Sequence, residues 1–442
     1  MNDKISLIRD KKIAILGYGI EGKSLSQFFD SKNIKYSIYD ETEKGNSIVT
    51  GEFKKTLEDK YNIYYKSPGI KYERISQINR SKISNLTDLF LNIFPGKIIG
   101  ITGTKGKSTT AKLIDCILKI NNKKSFLVGN IGEFGLDKIN DASASDYAVC
   151  EMSSFQLQFV KKSPDIAVIL PVFEDHLDYH ADIQEYISSK NNICKFQNKS
   201  QEIVLADNEG SQRATEGCLG RKVYFGENLD KPGCYLKGKD AVCELAGENR
   251  IFGQALSLSK AYKIPLIDIL AAVCVAFVED LEFDFKKISE NFDKLPFRMQ
   301  FLGKVHGANF YNDSSSTNPI STIEGIKLID GDKYLIIGGL NKNLKFDNLL
   351  KNLENDSIKK IYLYGQMKDY IMDLSKEYKK VTDKIIVYET LEEVFDGVKK
   401  NLYKGLNIIF SPAAASFDQF KNAKERGAIF NQLFDKLANA KI

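Results

Sequence analysis

Gly100-Ile101-Thr102-Gly103-Thr104-Lys105-Gly106-Lys107-Ser108-Thr109 follows the apolar run Lys97-Ile98-Ile99 and leads into Thr110-Ala111-Lys112-Leu113-Ile114-Asp115-Cys116-Ile117-Leu118. A buried strand therefore feeds a glycine turn and then an amphipathic helix. Backbone N–H groups of such a turn, backed by a helix N-terminus, cradle phosphate oxygens. Lys107 would neutralise the outer phosphates, and a hydroxyl of Ser108 or Thr109 can hold Mg²⁺. The turn is a shortened P-loop, because Ile101 stands where the strict pattern has glycine. Gly103, Thr104, Lys105, Gly106, Lys107, Ser108 and Thr109 are the residues expected to bind nucleotide phosphates.

On the N-terminal side, Lys11–Gly17 reads as a strand, Glu21–Lys32 as a helix and Lys35–Asp40 as the next strand. Gly17-Tyr18-Gly19-Ile20-Glu21-Gly22 sits at the strand-to-helix turn, and Asp40 lies at roughly the ~20-residue offset of a dinucleotide fingerprint. A glycine turn of this kind serves NAD or the diphosphate of a nucleotide sugar equally well. On the C-terminal side, strands are expected at 146–151, 165–172, 202–207 and 222–226. Beyond Leu295-Pro296 they recur at 333–339, 358–365, 384–390 and 406–412, with helical stretches between. This alternation predicts an α/β chain of three consecutive α/β domains. They are a Rossmann-like domain at 1–93, a P-loop ATPase-like domain at 94–296 and a second Rossmann-like domain at 297–442.

The 442 residues are 43% hydrophobic and 27% charged, the composition of a globular protein. Net charge is +5, with the basic residues dispersed, which excludes a nucleic-acid-binding arm. The charged start Met1–Lys12 and the lack of an ~18-residue apolar run argue against a leader or a membrane span, so a cytoplasmic protein is expected. Cys116, Cys150, Cys194, Cys218, Cys234, Cys243 and Cys274 are odd in number and form no C-x-x-C pair, and they read as reduced thiols. The histidines are His176, His180 and His306. His180 is expected on the surface at a helix start and His306 at a strand edge.

Glu151 ends the apolar strand Ala148-Val149-Cys150, where a nucleotide-binding sheet places a metal-holding acid. Ser153 and Gln156 follow at the same sheet end. Glu174-Asp175-His176-Leu177-Asp178 gathers carboxylates around one histidine, which reads as a metal or substrate contact or as a hydrogen-bonded loop. Asn312–Pro319, Gly338–Lys342 and Ser411–Asp418 are polar strand-end loops able to line one face and hold a small polar ligand.

In this order the motifs resemble the Mur ligase family, and the resemblance spans nearly the whole chain. It rests on Gly17–Gly22, Ser67-Pro68-Gly69-Ile70, Gly103–Thr109, Gly129–Gly132, Glu151–Leu157, Glu174–Asp178, Leu295–Arg298, Asn312–Pro319 and Ser411–Gly427. Ser153–Leu157 and Ser411–Phe420 are similar to the family's glutamate-adding branch. The resemblance implies an ATP- and Mg²⁺-dependent ligase acting on UDP-N-acetylmuramoyl-L-alanine and D-glutamate through an acyl phosphate. A monomer is expected, with neither nucleic acid nor membrane as partner. Lys107, Glu151, His176 and Lys190 are then catalytic. Ser108, Thr109, Glu151, His176 and Lys190 serve two metal ions, with Lys190 at the position of the family's carbamylated lysine. Asp268, Arg298 and Asp313 match nucleotide-side positions. Gly17, Gly19, Ile20, Glu21, Gly22, Asp40, Ser67, Pro68 and Gly69 match the region receiving UDP. Asn130, Ser153 and Gln156 match positions facing the muramoyl-alanine end. Thr317, Lys342 and Ser416 match positions holding the D-glutamate carboxylates.

The chain departs from the family pattern at Ser315, where a lysine is expected, and at Ile264-Pro265, where a His-Asn pair is expected. Lys105 replaces a frequent Asn, and Ala423 stands where a larger residue often closes the glutamate pocket. Another Mur-type ligase, a non-catalytic nucleotide-binding relative, or an oxidoreductase using the first βαβ unit are the alternative readings.

Overall fold

Ile13-Ala14-Ile15-Leu16 is apolar throughout and forms a fully buried strand, β1. It lies between β2 (Tyr36–Asp40) and β4 (Ile63–Lys66), with β3 (Ile48–Thr50) and β5 (Ile83–Ser84) at the edges, in a parallel sheet of order β3-β2-β1-β4-β5. The computed structural model describes residues 2–45, 47–129, 135–176, 179–342 and 344–439. The chain divides into two units, Met1–Leu256 with Leu266–Phe292, and Ser257–Pro265 with Asp293–Ile442.

The second sheet is also in the first unit. Its strands are β6 (Lys97–Thr102), β7 (Ser125–Gly129), β8 (Tyr147–Glu151), β9 (Ile166–Ile169), β10 (Glu202–Ala206), β11 (Arg221–Gly226), β12 (Gly233–Lys237), β13 (Asp240–Leu245) and β14 (Glu248–Ile251). They run in the order β14-β13-β12-β11-β10-β9-β6-β8-β7. β8, β6 and β9 are parallel neighbours, paired Ile101 to Glu151 and Thr102 to Ile169, so the loops after them emerge side by side. One apolar core joins both sheets, running from Ile15, Phe29 and Tyr65 through Phe90 and Phe94 to Val128, Ile169 and Leu205. Each such side chain stabilises the fold by about 1.5–3 kcal/mol when fully buried.

The second unit holds β15 (Gln300–Val305), β16 (Ala308–Asn312), β17 (Lys333–Gly338), β18 (Ile358–Tyr364), β19 (Ile385–Val387) and β20 (Asn407–Phe410), ordered β15-β16-β20-β17-β18-β19. Side chains alternate between its faces: Leu335 and Ile337 pack with Ile361, Leu363 and Ile409, whereas Ile336 packs with Tyr362, Ile408 and Phe410. β20, last in sequence, inserts between β16 and β17.

Several expectations need correction. Cys194–Cys218 and Cys234–Cys243 are disulfides, while Cys116, Cys150 and Cys274 are buried and belong to neither pair. Cys234 and Cys243 face each other across the antiparallel β12–β13 pair, a proximity that spacing along the chain does not reveal. That pair and β14 were not expected from the sequence; they add an antiparallel extension to a parallel sheet. His180 is buried, because its ring stacks on Phe155 and Nε2 lies 2.9 Å from Ser154 Oγ. His306 sits at φ +50° in the turn joining β15 to β16 rather than on a strand edge.

Candidate active site

The helix Lys107–Ile120 starts from Gly106, whose φ of +82° is open to glycine. A Cβ there would come within 2.1 Å of Asp268 Oδ1, so the loop packs directly on that carboxylate. Ser108 Oγ donates to Glu151 Oε2 at 2.8 Å, and both groups are buried. The β6–β8 pairing thus brings together two residues that lie far apart in sequence. Thr104 Oγ1 accepts from Phe173 N at 2.9 Å and lies 3.0 Å from Tyr186 Oη, which fixes the loop against the segment after β9.

Two ammonium groups converge on one carbonyl. Lys107 Nζ donates to Gly103 O at 2.9 Å and to Thr104 O at 3.0 Å. Lys190 Nζ donates to Gly103 O at 2.9 Å and lies 4.6 Å from the Tyr186 ring centroid. Burial, reinforced by repulsion from Lys107, holds the Lys190 pKa well below the ordinary lysine value. Lys105 pairs with Asp175 at 3.6 Å. Burial opposes ionisation of Asp175, but Lys105, His176 and Lys107 outweigh it and hold its pKa low. His176, at φ +58°, packs against Phe155, and burial takes its pKa down to about 4 against the pull of Asp175. Its imidazole is therefore neutral at pH 7, the form that ligates metals.

The glycine turn after β1 is closed by its neighbours. Gly17 N donates to Tyr39 O, and Ser67 Oγ donates to Gly17 O at 3.0 Å. Gly19 precedes the helix Ile20–Ser31, which includes Gly22, and Ile20 is 77% exposed. Burial opposes the charge on Asp40, but N–H donors from Glu43, Tyr18 and Thr42 outweigh it and lower the pKa. Glu21 points inward, accepting from Gln156 Nε2 at 3.2 Å, and burial raises its pKa to about 7. Ser153 and Gln156 form a reciprocal capping box on the short helix Ser154–Leu157. Asn130, Leu177 and Asp178 lie outside the described residues.

Lys66 and Tyr179 were missed. Lys66 Nζ, buried at the end of β4, donates to Ile70 O at 2.7 Å and Ser67 O at 3.0 Å. Tyr179 Oη donates to Pro68 O at 2.9 Å and to Ile70 O at 3.1 Å, so the Ser67–Ile70 turn, with Pro68 and Gly69 in it, is tied to the segment carrying His176. The available signal was a lysine closing the apolar strand Ile63-Tyr64-Tyr65.

In the second unit, the loops after the neighbouring strands β16, β20 and β17 carry Thr317, Ser416 and Lys342. Lys342 Nζ stands 5.1 Å from the ring centroid of Phe417, an exposed aromatic also missed from sequence. The buried carboxylate of Asp313 accepts from Ser316 Oγ (2.6 Å), Ser411 Oγ (2.8 Å) and Met299 N (3.0 Å), and Arg298 acts on it electrostatically.

Residues 101–259 match the Mur ligase middle domain. The chain is 32% identical to the UDP-N-acetylmuramoylalanine-D-glutamate ligase of Clostridium kluyveri over 99% of each chain. The chain belongs to the Mur ligase family. It is 29% identical to the ligase of the same name from Clostridium acetobutylicum, again over 99% of each chain. Its fold is similar to that of Thermotoga maritima MurF ligase in complex with ADP, at TM-score 0.60 and 17% identity, covering 98% of this chain and 96% of that one. Thermotoga maritima MurC is similar at TM-score 0.58 and 15% identity, covering 96% and 99%.

The departures from the Mur ligase pattern have definite places. Lys105 is paired to Asp175. Ser315 N donates to Phe297 O, and Ala423 O accepts from Ser314 Oγ. Ile264 is buried and accepts from Ser259 Oγ through its carbonyl.

Proposed function

We propose that this Mur ligase joins D-glutamate to the L-alanyl carboxylate of UDP-N-acetylmuramoyl-L-alanine, using ATP and passing through an acyl phosphate. Family membership makes it an ADP-forming ligase of peptidoglycan precursor synthesis. The observation that carries the site reading is the buried Ser108–Glu151 contact beside Lys107 at the mouth of the glycine loop. We read residues 1–93 as the UDP-sugar domain, 94–296 as the ATP domain and 297–442 as the amino-acid domain, in a cytoplasmic monomer.

In this reading the loop N–H groups from Gly103 to Thr109 and the Lys107 ammonium bind the ATP phosphates. Lys107 exchanges its present carbonyl partners for phosphate oxygens and stabilises charge as the phosphoryl group transfers. Glu151 and the Ser108 hydroxyl are hard oxygen donors that fit Mg²⁺, and by resemblance to the family Glu151 and the neutral His176 imidazole would hold a second ion. Bound Mg²⁺ would neutralise charge on the phosphates and the reacting carboxylate. Lys190, buried and held below its usual pKa, gives up its proton more readily than an ordinary lysine, and the deprotonated amine is the form that adds CO₂ to give a carbamate. Thr317, Lys342 and Ser416 would hold the amino-acid carboxylates, leaving the amine free to attack the acyl phosphate and expel phosphate.

The test is phosphate release with ATP, Mg²⁺, UDP-N-acetylmuramoyl-L-alanine and D-glutamate, omitting one component at a time. Release should need all four, fail with L-glutamate, and vanish in Lys107→Ala. Tight binding of the nucleotide sugar with no release would favour a non-catalytic relative.

A further inference from the structure

The strand-end loops of the second unit meet over one buried cation. Arg426, on the helix Ala423–Asn439, has no solvent exposure. Its Nε donates to Ser314 Oγ at 3.1 Å and its Nη2 to Ser314 O at 2.9 Å, while Nη1 donates to Ala414 O at 3.0 Å. A Cβ added to Gly339, at φ +130°, would lie 3.2 Å from Nη1 and 2.2 Å from Ala415 O. The loop after β17 therefore closes over the guanidinium only because residue 339 lacks a side chain. Antiparallel bonds between Leu340 and Ala415, at 2.8 and 3.2 Å, complete that contact.

Ser314, Gly339 and Ala414 stand three, three and two residues before Thr317, Lys342 and Ser416. A planar guanidinium with diverging donors fixes the separation of the groups it bonds, which a lysine ammonium does not. Tyr364 and Asp418 also act on the guanidinium, so residues at the end of β18 and in the loop after β20 share the arrangement. Its oxygen partners at Ser314 and Ala414 are uncharged. A packing role alone would have been filled by an apolar side chain at lower desolvation cost.

We propose that Arg426 is a positioning residue for the amino-acid substrate, setting the spacing of the loops that carry Thr317, Lys342 and Ser416. This rests on the reading of those loops as the D-glutamate site. Loop spacing governs how well both carboxylates of a dianionic amino acid are met at once, so disturbing it acts on that substrate selectively.

The experiment is Arg426→Lys, with kcat and the KM for each substrate measured alongside thermal unfolding. The D-glutamate KM should rise tenfold or more, with kcat at saturating D-glutamate and the other two KM values within threefold of wild type. An unchanged D-glutamate KM in a folded variant, or a common rise in all three KM values, would overturn the proposal. Should Arg426→Lys fail to fold, Ser314→Ala decides, since it removes the Nε acceptor and leaves the guanidinium in place. A threefold or greater rise in D-glutamate KM supports the proposal, and none overturns it. Wild-type turnover indifferent to D-glutamate would instead refute the functional reading, and with it this proposal, before any variant is made.

Discussion

Lys66→Met is expected to change how stability responds to pH. In the folded chain burial depresses the Lys66 pKa from 10.5 to about 7, against the attraction of Glu21 and Glu73. The unfolded chain keeps this proton up to about 10.5, close to the free lysine value. Between those values the unfolded state binds more protons, so stability rises with pH by about 1.4 kcal/mol per unit. From about pH 7.5 to 9.5 the contribution is ~3 kcal/mol, and the penalty is fully present, at roughly 5 kcal/mol, below pH 7. Glu21 acts in the opposite sense. Its pKa rises from 4.5 to about 7 on folding, so the folded state binds more protons in that interval and stability falls as pH climbs through it. The pair therefore places a stability minimum near neutrality.

Removing the Lys66 ammonium abolishes the rise above pH 7. It also takes away an attraction that favours ionised Glu21, so the fall due to Glu21 should extend to higher pH. The measurement is urea unfolding of both proteins at several pH values, followed by circular dichroism or by tyrosine fluorescence, the sequence having 21 tyrosines and no tryptophan. The wild-type advantage over Lys66→Met should grow by ~3 kcal/mol between about pH 7.5 and 9.5. Parallel stability curves would show that Lys66 is not a buried titrating cation, and the reasoning would fail.

Lys190→Ala should lower turnover at least about a hundredfold, with partial return on adding acetate or formate, since the lost group is read as a carboxylate on the lysine. Full activity without additive would sink that reading. Thiol titration of the unreduced, denatured chain should find Cys116, Cys150 and Cys274 reactive and the remaining four not. Reduction should then destabilise the fold by on the order of 3 kcal/mol per disulfide, as closing loops of 24 and 9 residues implies. Seven reactive thiols before reduction would refute the pairing.

What the sequence made legible was local. The strand, glycine turn and helix around Lys107 occupy one contiguous stretch, so their geometry follows from backbone rules alone. Features that depend on strand order were not legible. Nothing in the residues of β20 says that it inserts between β16 and β17, yet that insertion makes the loops carrying Thr317, Lys342 and Ser416 neighbours. His180 reads as polar and exposed until Phe155 and Ser154 are seen to enclose it. Cys234 and Cys243 face each other only once the β12–β13 register is set. Arg426 lies on a helix whose charged neighbours suggest a solvated face, and only the three-dimensional fold reveals its burial.

The convergence of Lys107 and Lys190 on Gly103 O gives the burial of Lys190 a chemical meaning. Two ammonium groups sharing one carbonyl repel each other, and Lys105 adds to that repulsion. The repulsion can be relieved in either of two ways. Lys190 can shed its proton, which its lowered pKa favours, or it can acquire negative charge. A carbamate does the second by way of the first, because only the neutral amine attacks CO₂. It would turn the Lys107–Lys190 repulsion into an attraction and free Gly103 O from one of its donors. Once that has happened, Lys107 no longer shares Gly103 O with a second cation. The buried lysine and the phosphate-binding lysine are thus coupled through a single backbone oxygen, so altering the charge at Lys190 should change nucleotide binding as well as turnover.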